Sequence, residues 1–251
     1  MRILAIDTAT ESCSVALRLG TQVLQRARRL ERGHAEVILP MVDEVLIEAG
    51  LSLGALTAIA FGRGPGAFTG LRLAASVAQG LAFGAGLPVV PVSDLQAVAQ
   101  RALDEDRTIG RVLACADARM GEVYWGCFER SAEAFARPSD VERVTRPEQV
   151  RPPAGWAHCG PIGSRDAPPA PQPDSTPWRL AGVGSGFAAY PQLRTELPLD
   201  LVLEGLLPRA SEIAHLALPE LVAGRFLPPE QALPVYLRDE VTHAAGRPSS
   251  N

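Results

Sequence analysis

The segment RILAIDTATESCSVALRL, residues 2–19, reads as a buried strand, a polar turn and a second strand. Ile3 to Ile6 form an apolar run, Asp7 ends it, and Thr8, Thr10 and Glu11 make the turn. Val15, Leu17 and Leu19 then recur at the strand period of two, and Gly20-Thr21 starts a hairpin into QVLQRARRL. Three antiparallel strands are therefore expected first. The theme returns in RVLACADARMGEVYWGCFE, residues 111–129. There an apolar strand, Val112 to Ala116, ends in Asp117, and a turn with Gly121 leads to the alternating strand EVYWGCF. Two copies of strand, Asp, turn and strand predict a duplicated α/β domain.

Between the copies, GHAEVILPMVDEVLIEAG, residues 33–50, carries Val37, Ile38, Met41, Val42, Val45, Leu46 and Ala49 at helical spacing, closed by Gly50. Pro40 removes a backbone donor, so a kink or boundary is expected near Leu39. LTAIAFG reads as a buried strand that runs into GRGPGAFTGLR, residues 62–72. A helix rich in Ala and Gly follows. Gly80 in its interior costs about 1 kcal/mol relative to Ala and calls for close approach of another helix. LPVVPVS is another strand, and Ser93 or Asp94 caps the helix DLQAVAQRAL. DEDRTIG reads as a hinge, which places an N-terminal lobe at 1–106 and a C-terminal lobe at 107–242. DAPPAPQPDSTP marks a proline-rich insertion at about 160–178, PRASEIAHLALPELVAG is a helix, and 243–251 is a frayed tail.

Composition narrows the functional classes. The chain has 251 residues, 47 % hydrophobic and 21 % charged, with a formal net charge of −4, so no global positive field draws nucleic acid. The one basic run, RARRLER with Arg26, Arg28, Arg29 and Arg32, reads as a solvated strand edge or turn, or as a contact for an acidic partner. The first residues lack the features of a secretory signal. The most apolar stretch, Leu71 to Val90, is interrupted by Arg72, Gln79, glycines and a proline, so no membrane span is expected. Cys13, Cys115, Cys127 and Cys159 contain no C-x-x-C pair, which fits a reducing, cytoplasmic setting. His34, His158, His215 and His243 form no metal-binding pair.

The glycine loop fits neither phosphate-binding fingerprint. No Lys follows its glycines as a Walker loop requires, and Ala67 stands where a dinucleotide loop needs its third glycine. A Gly-Pro-Gly turn feeding a helix still exposes backbone donors, so two readings stand: a packing joint, or an anion or nucleotide cradle using Gly64, Gly66 and Thr69. Asp7, Thr8 and Thr10 divide the same way, between a hydrated-cation and phosphate turn and a self-capped one. His34 reads as a surface or capping residue. GVGSG lacks the x-Ser-x-Gly pattern of a nucleophile elbow, and no cysteine has an evident His partner.

Taken in order, ILAIDTATESCSVAL, HAEVILPMVDEVL, GRGPGAFTGLRLAASVAQGLA, PVVPVSDLQAVA and ADARMGEVY resemble the TsaB (YeaZ) family of bacterial tRNA threonylcarbamoyladenosine biosynthesis. The likeness covers residues 1–128 and returns at PVYLRDEV; about 135–205 is poorly matched. It implies an actin-like, sugar-kinase-like ATPase (ASKHA) fold of two related lobes. It also implies a non-catalytic scaffold that activates the catalytic relative TsaD. With the small ATPase TsaE, these proteins move a threonylcarbamoyl group from its adenylate onto an adenosine beside the tRNA anticodon. Transfer RNA would be met through the complex, and a homodimer would form in isolation. No cofactor would be required, with weak or shared ATP or ADP binding left open. The catalytic relative carries an H-x-x-x-H metal pair where this chain has Asp94 and Val98; valine cannot ligate a metal, so no metal site and no peptidase chemistry are expected. The partner interface is expected at Val37, Ile38, Met41, Val42 and Val45 with Leu71, Ala74, Ala75 and Ala78. The alternative is an independent nucleotide-binding ATPase or phosphotransferase of the same fold.

Overall fold

A computed structural model describes residues 1–156 and 178–238. The first half opens with β1 (Arg2–Asp7), β2 (Ser12–Leu19), β3 (Gln22–Arg29) and α1 (His34–Ala49). It continues through β4 (Ala58–Gly62), α2 (Phe68–Ala85), β5 (Val89–Val92) and α3 (Asp94–Glu105). The second half holds β6 (Ile109–Arg119), β7 (Glu122–Arg130), β8 (Ala136–Pro138), β9 (Arg143–Thr145) and β10 (Arg179–Val183). It closes with α4 (Gly186–Ala189), α5 (Gln192–Glu196), β11 (Leu201–Leu203) and α6 (Ala210–Val222). The proline-rich insertion, apart from Trp178, and the tail lie outside the described residues.

The two sheets repeat one another. The first runs β3-β2-β1-β4-β5 and the second β8-β7-β6-β10-β11, with β9 added beside β7. In both, the leading strand pairs antiparallel with its hairpin partner and parallel with the strand that follows the crossover. The strand–Asp–turn–strand pattern is thus the first hairpin of each sheet, and the fold is the two-lobed α/β architecture expected. The short strands β8 and β9 fall in a stretch whose prolines and charges mask any alternation, and the sequence did not announce them.

The helices do not respect the 106/107 boundary. Helix α3, placed in the first lobe, lays Leu95, Val98, Ala99, Ala102 and Leu103 against Ile109, Val112, Ala114 and Phe128 of the second sheet. Helix α6, placed in the second lobe, packs Ile213, Ala214 and Ala217 against Ile3, Ala5, Ala58 and Ala60 of the first. Each lobe's core is completed by a helix from the other half of the chain. Strand pairing divides the chain at the hinge; apolar burial ties the halves together.

Helix α1 passes through Pro40 unbroken, and both Pro40 and Glu36, whose carbonyl loses its usual donor, are exposed residues. The expected interface residues meet a larger correction. Ile38, Met41, Val42, Val45, Leu71, Ala74, Ala75 and Ala78 are all buried inside the protomer, and Val37 is half-buried. All but Leu71 pack in one cluster with Leu4, Ile6, Val15, Leu17, Ile59 and Phe61 of the first sheet. The apolar stripes of α1 and α2 are the core of the lobe, so a foreign subunit cannot reach them.

Candidate functional site

Three segments meet at the carboxyl ends of β1 and β4, where open α/β sheets hold their ligands: the β1–β2 turn, the glycine loop and the first turn of α3. The glycine loop closes onto the β1–β2 turn. The Ala67 amide donates to the Ala9 carbonyl at 2.8 Å, and Thr8 Oγ1 donates to the Gly70 carbonyl at 2.6 Å. A Cβ on Gly66 would lie 2.7 Å from the Ala9 oxygen, and one on Gly70 would lie 2.0 Å from the Thr8 oxygen. The second lobe repeats the device: a Cβ on Gly184 would meet the Cys115 oxygen at 2.4 Å. In both halves the glycines let the crossover approach the end of the leading strand.

Of the residues expected to form an anion site, Asp7, Thr8, Gly64 and Gly66 come together, but each is turned toward the protein itself. The Thr8 hydroxyl is taken by Gly70, Thr10 Oγ1 accepts from the Ser12 amide at 3.1 Å, and Thr69 stands apart on the exposed start of α2. His34 Nε2 lies 2.9 Å from the Thr10 carbonyl and pins the turn to α1. Gly70→Ala tests the joint. It should lower stability by about 3 kcal/mol, the upper end for overpacking, because the obstacle is backbone. Gly80→Ala, whose Cβ would meet nothing within 4 Å, should instead raise stability by about 0.5–1 kcal/mol. Urea denaturation of both variants measures the contrast.

No local sequence signal announces the carboxyl pair beneath the loop. Asp7, at the end of β1, accepts the Ala9 amide on Oδ1 at 2.8 Å; Asp94, first in α3, accepts the Gly64 amide on Oδ2 at 2.6 Å. Both are buried, and the remaining oxygens, Asp7 Oδ2 and Asp94 Oδ1, have no hydrogen-bond partner. The two carboxyl groups act on each other directly, and a proton held between them would satisfy both of these oxygens. Burial raises the Asp7 carboxyl to about 7, against its amide partners, and Glu212 pushes the same way. Asp94 is raised well above the usual carboxylate range, first by burial and then by the Asp7 charge. Gly62 makes room, since a Cβ there would sit 2.4 Å from Asp94 Oδ1. Beside the pair, Glu142 from the β8–β9 loop accepts from Ser93 Oγ and pairs with Arg63 at 3.4 Å. Burial raises the Glu142 carboxyl, and Arg63 and Ser93 oppose that rise.

Residues 227–238 cross the outside of this junction as a strap. Leu227 bridges to Val89, the Val235 amide donates to the Arg63 carbonyl at 2.7 Å, and Arg238 donates to the Ala118 carbonyl at 3.2 Å. Between them the Tyr236 ring lies 5.4 Å from that of Phe68, and the Arg72 guanidinium sits 3.9 Å over Phe68. The strap therefore links the edge of the first sheet to the β6–β7 hairpin of the second. Its only sequence signal was PVYLRDEV.

Other expected chemistry is spent on structure. Arg26 pairs with Glu44 and Glu48, Arg28 with Glu44 and Arg29 with Glu11, so most of the basic run serves its own neighbours. Cys13, Cys115 and Cys127 are buried, and burial pushes their thiols up, away from the reactive thiolate. Val98 packs in the second core. No described helix is long and apolar enough to cross a membrane.

A family model for TsaD, tRNA N6-adenosine threonylcarbamoyltransferase, matches residues 27–192. Two solved Pseudomonas aeruginosa structures share the fold over 94 % of this chain and 99 % of theirs. One is YeaZ, at 40 % identity and TM-score 0.80; the other, described by its similarity to peptidase YeaZ, is at 41 % and 0.81. The tRNA threonylcarbamoyladenosine biosynthesis protein TsaB of Escherichia coli K12 is 41 % identical over 242 residues, covering 96 % of each chain. That of Haemophilus influenzae is 39 % identical over 252 residues, covering 96 % of this chain and 95 % of its own. Matched end to end at this level, the chain belongs to the TsaB family.

Proposed function

We propose that this protein is a non-catalytic subunit of the machinery that places a threonylcarbamoyl group on adenosine beside the tRNA anticodon, and that it works by binding a TsaD-like catalytic subunit. The outer face of α1 and α2 carries this reading. With the inner stripes committed to the core, the helices still present Leu39, Ile47 and Phe83 to solvent, the last two more than three-quarters exposed. Around them lie Ser76, Gly80 and Gly84, and a Cβ on either glycine would meet nothing within 4 Å. Gly80 thus has no internal offset for its helical cost; a helix from another chain would supply one. The nearly bare outer side of α2, beside Leu39 and Ile47 on an α1 face that also exposes Glu36, Asp43 and Glu48, fits such a partner, or a second copy when that partner is missing.

Support for a non-catalytic role comes from the junction. Asp7 is committed to Ala9 and Asp94, Thr8 to Gly70, and Val98 occupies the place of a metal ligand in the catalytic relative. Phe83→Asp and Leu39→Asp should leave the thermal midpoint within a few degrees of the unaltered protein and abolish co-purification with the catalytic subunit. Undiminished association would remove the face. In the same reconstitution, transfer to tRNA should depend on the catalytic subunit and persist when Asp7 is replaced by Asn.

A further inference from the structure

We infer that the strap, residues 227–238, is a clasp held shut by the catalytic subunit: the partner seated on the outer side of α2 also covers Leu233, Val235 and Tyr236, and so holds the strap across both lobes. The inference rests on the proposed docking face and extends it by one element.

The strap runs beside α2 from end to end. Past the carboxyl end of the helix, Phe83 and Gly86 line an open cleft of about 500 Å³ with Phe226, Leu227 and Pro228. Farther along, Gln79 Nε2 donates to the Pro229 carbonyl at 3.2 Å. At the start of the helix, Arg72 Nε donates to the Tyr236 hydroxyl at 3.0 Å, with the Tyr236 ring against Phe68. Arg72 precedes Ser76 by four residues and Gln79 precedes Phe83 by four, so the positions that hold the strap adjoin the bare outer line of the helix. A partner laid on that line has the strap as its wall.

Apolar exposure follows the same path. Of thirteen large apolar side chains exposed among the described residues, eight stand on α1, α2 or residues 226–236. Leu233 alone is 65 % exposed. One body that covers the two helices reaches all of them, which makes the catalytic subunit the occupant. Nucleic acid finds little to bind, since the charges of the strap are Glu230 and Arg238, and Arg238 pairs with Glu122.

The strap has little stability of its own. Apart from a single turn at Pro229–Gln231 it is irregular, and Ala232 is its one buried residue. A few bonds tie it down. Leu227 and Val89 exchange amide bonds at 2.8 and 2.9 Å, and the Val235 amide reaches the Arg63 carbonyl at 2.7 Å. At the far end Arg238 donates to the Ala118 carbonyl at 3.2 Å and to the Sδ of the exposed Met120 at 3.6 Å. Gly64 lies under the middle: a Cβ there would sit 2.8 Å from the Val235 carbonyl, and its amide is the one Asp94 accepts. A partner that covers the strap therefore also steadies the glycine loop above the carboxyl pair. By linkage, a strap that is free at one end returns less affinity to that partner.

Hydrogen exchange, read by mass spectrometry, compares the full-length protein alone and bound to the catalytic subunit. Peptides spanning 226–238 should exchange at least tenfold more slowly in the complex. Leu233→Asp should weaken that complex at least tenfold with its thermal midpoint unchanged, while Leu233→Met stays within threefold. Arg238→Ala, which lies off the face, should weaken it at least threefold by freeing the far end of the strap. Unchanged exchange over 226–238, in a complex that Phe83→Asp abolishes, would overturn the clasp and leave the α1–α2 face standing. Full affinity in Leu233→Asp or in Arg238→Ala would overturn it too. Normal binding by Phe83→Asp with loss in Leu233→Asp would instead remove the α1–α2 face and keep docking on the strap.

Discussion

Ala78→Asp is expected to unfold the protein, not merely to deprive it of a partner. Ala78 has no exposed surface and lies between α2 and the first sheet, among Leu4, Ile59 and Phe61. An aspartate there has no cation to meet and no route to water. An uncompensated buried charge costs several kcal/mol even after relaxation, against a total stability of about 5–15 kcal/mol for a domain. Ala74→Asp should behave alike, since Ala74 belongs to the same cluster. Far-ultraviolet circular dichroism and soluble yield read the result, with Phe83→Asp as the folded control. An Ala78→Asp protein that melts within a few degrees of the unaltered chain would mean that the inner face of α2 is open to solvent.

Asp94→Asn should give the second large effect, and it should depend on pH. The folded chain holds a proton on the Asp7–Asp94 pair that the unfolded chain releases near the ordinary carboxyl value of 3.8. The stability held by these raised carboxyls is complete below this value and is lost at Asp7 as pH rises through about 7, with Asp94, raised well above the usual range, adding a loss of the same sign. Moving one carboxyl from 3.8 to about 7 corresponds to on the order of 4 kcal/mol. Glu212 facing Asp7 and Glu142 facing Asp94 deepen the loss; Arg63 answers Glu142. An asparagine at 94 would offer its amide to Asp7 Oδ2 and its oxygen to the Gly64 amide without any proton to lose. The variant should match the unaltered protein near pH 5 and exceed it by on the order of 2–4 kcal/mol at pH 8. Urea denaturation at pH 5, 6.5 and 8 separates the cases: curves that fall in parallel would show that the pair shares no proton.

How much of this was legible depended on the range of the interaction. Strand β1, its Asp7 and the hairpin into β2 could be read because alternation and turn chemistry are local. So could the matching hairpin of β6 and β7, and with it the duplicated architecture. The Ser93 cap of α3 was equally local: its Oγ accepts the Gln96 amide at 3.2 Å. The error at α1 and α2 was of another kind. Periodicity finds an apolar stripe but does not say which surface covers it, and here the first sheet covers it. What remains for a partner is Leu39, Ile47 and Phe83, isolated residues with no period of their own.

Alone, the sequence determined the α/β class, the repeat of strand, Asp, turn and strand, and the glycine loop as a place of close backbone approach, because each follows from contacts between near neighbours. Only the tertiary structure decided that α3 and α6 exchange lobes, that Asp7 and Asp94 meet in one buried junction, that the strap ties Leu227 to the hairpin at Ala118, and that Met120 is held outward. Those depend on groups far apart in the chain meeting at one point, and on which side of a helix the sheet happens to lie. Burial and hydrogen bonding settle both only once the whole chain is closed.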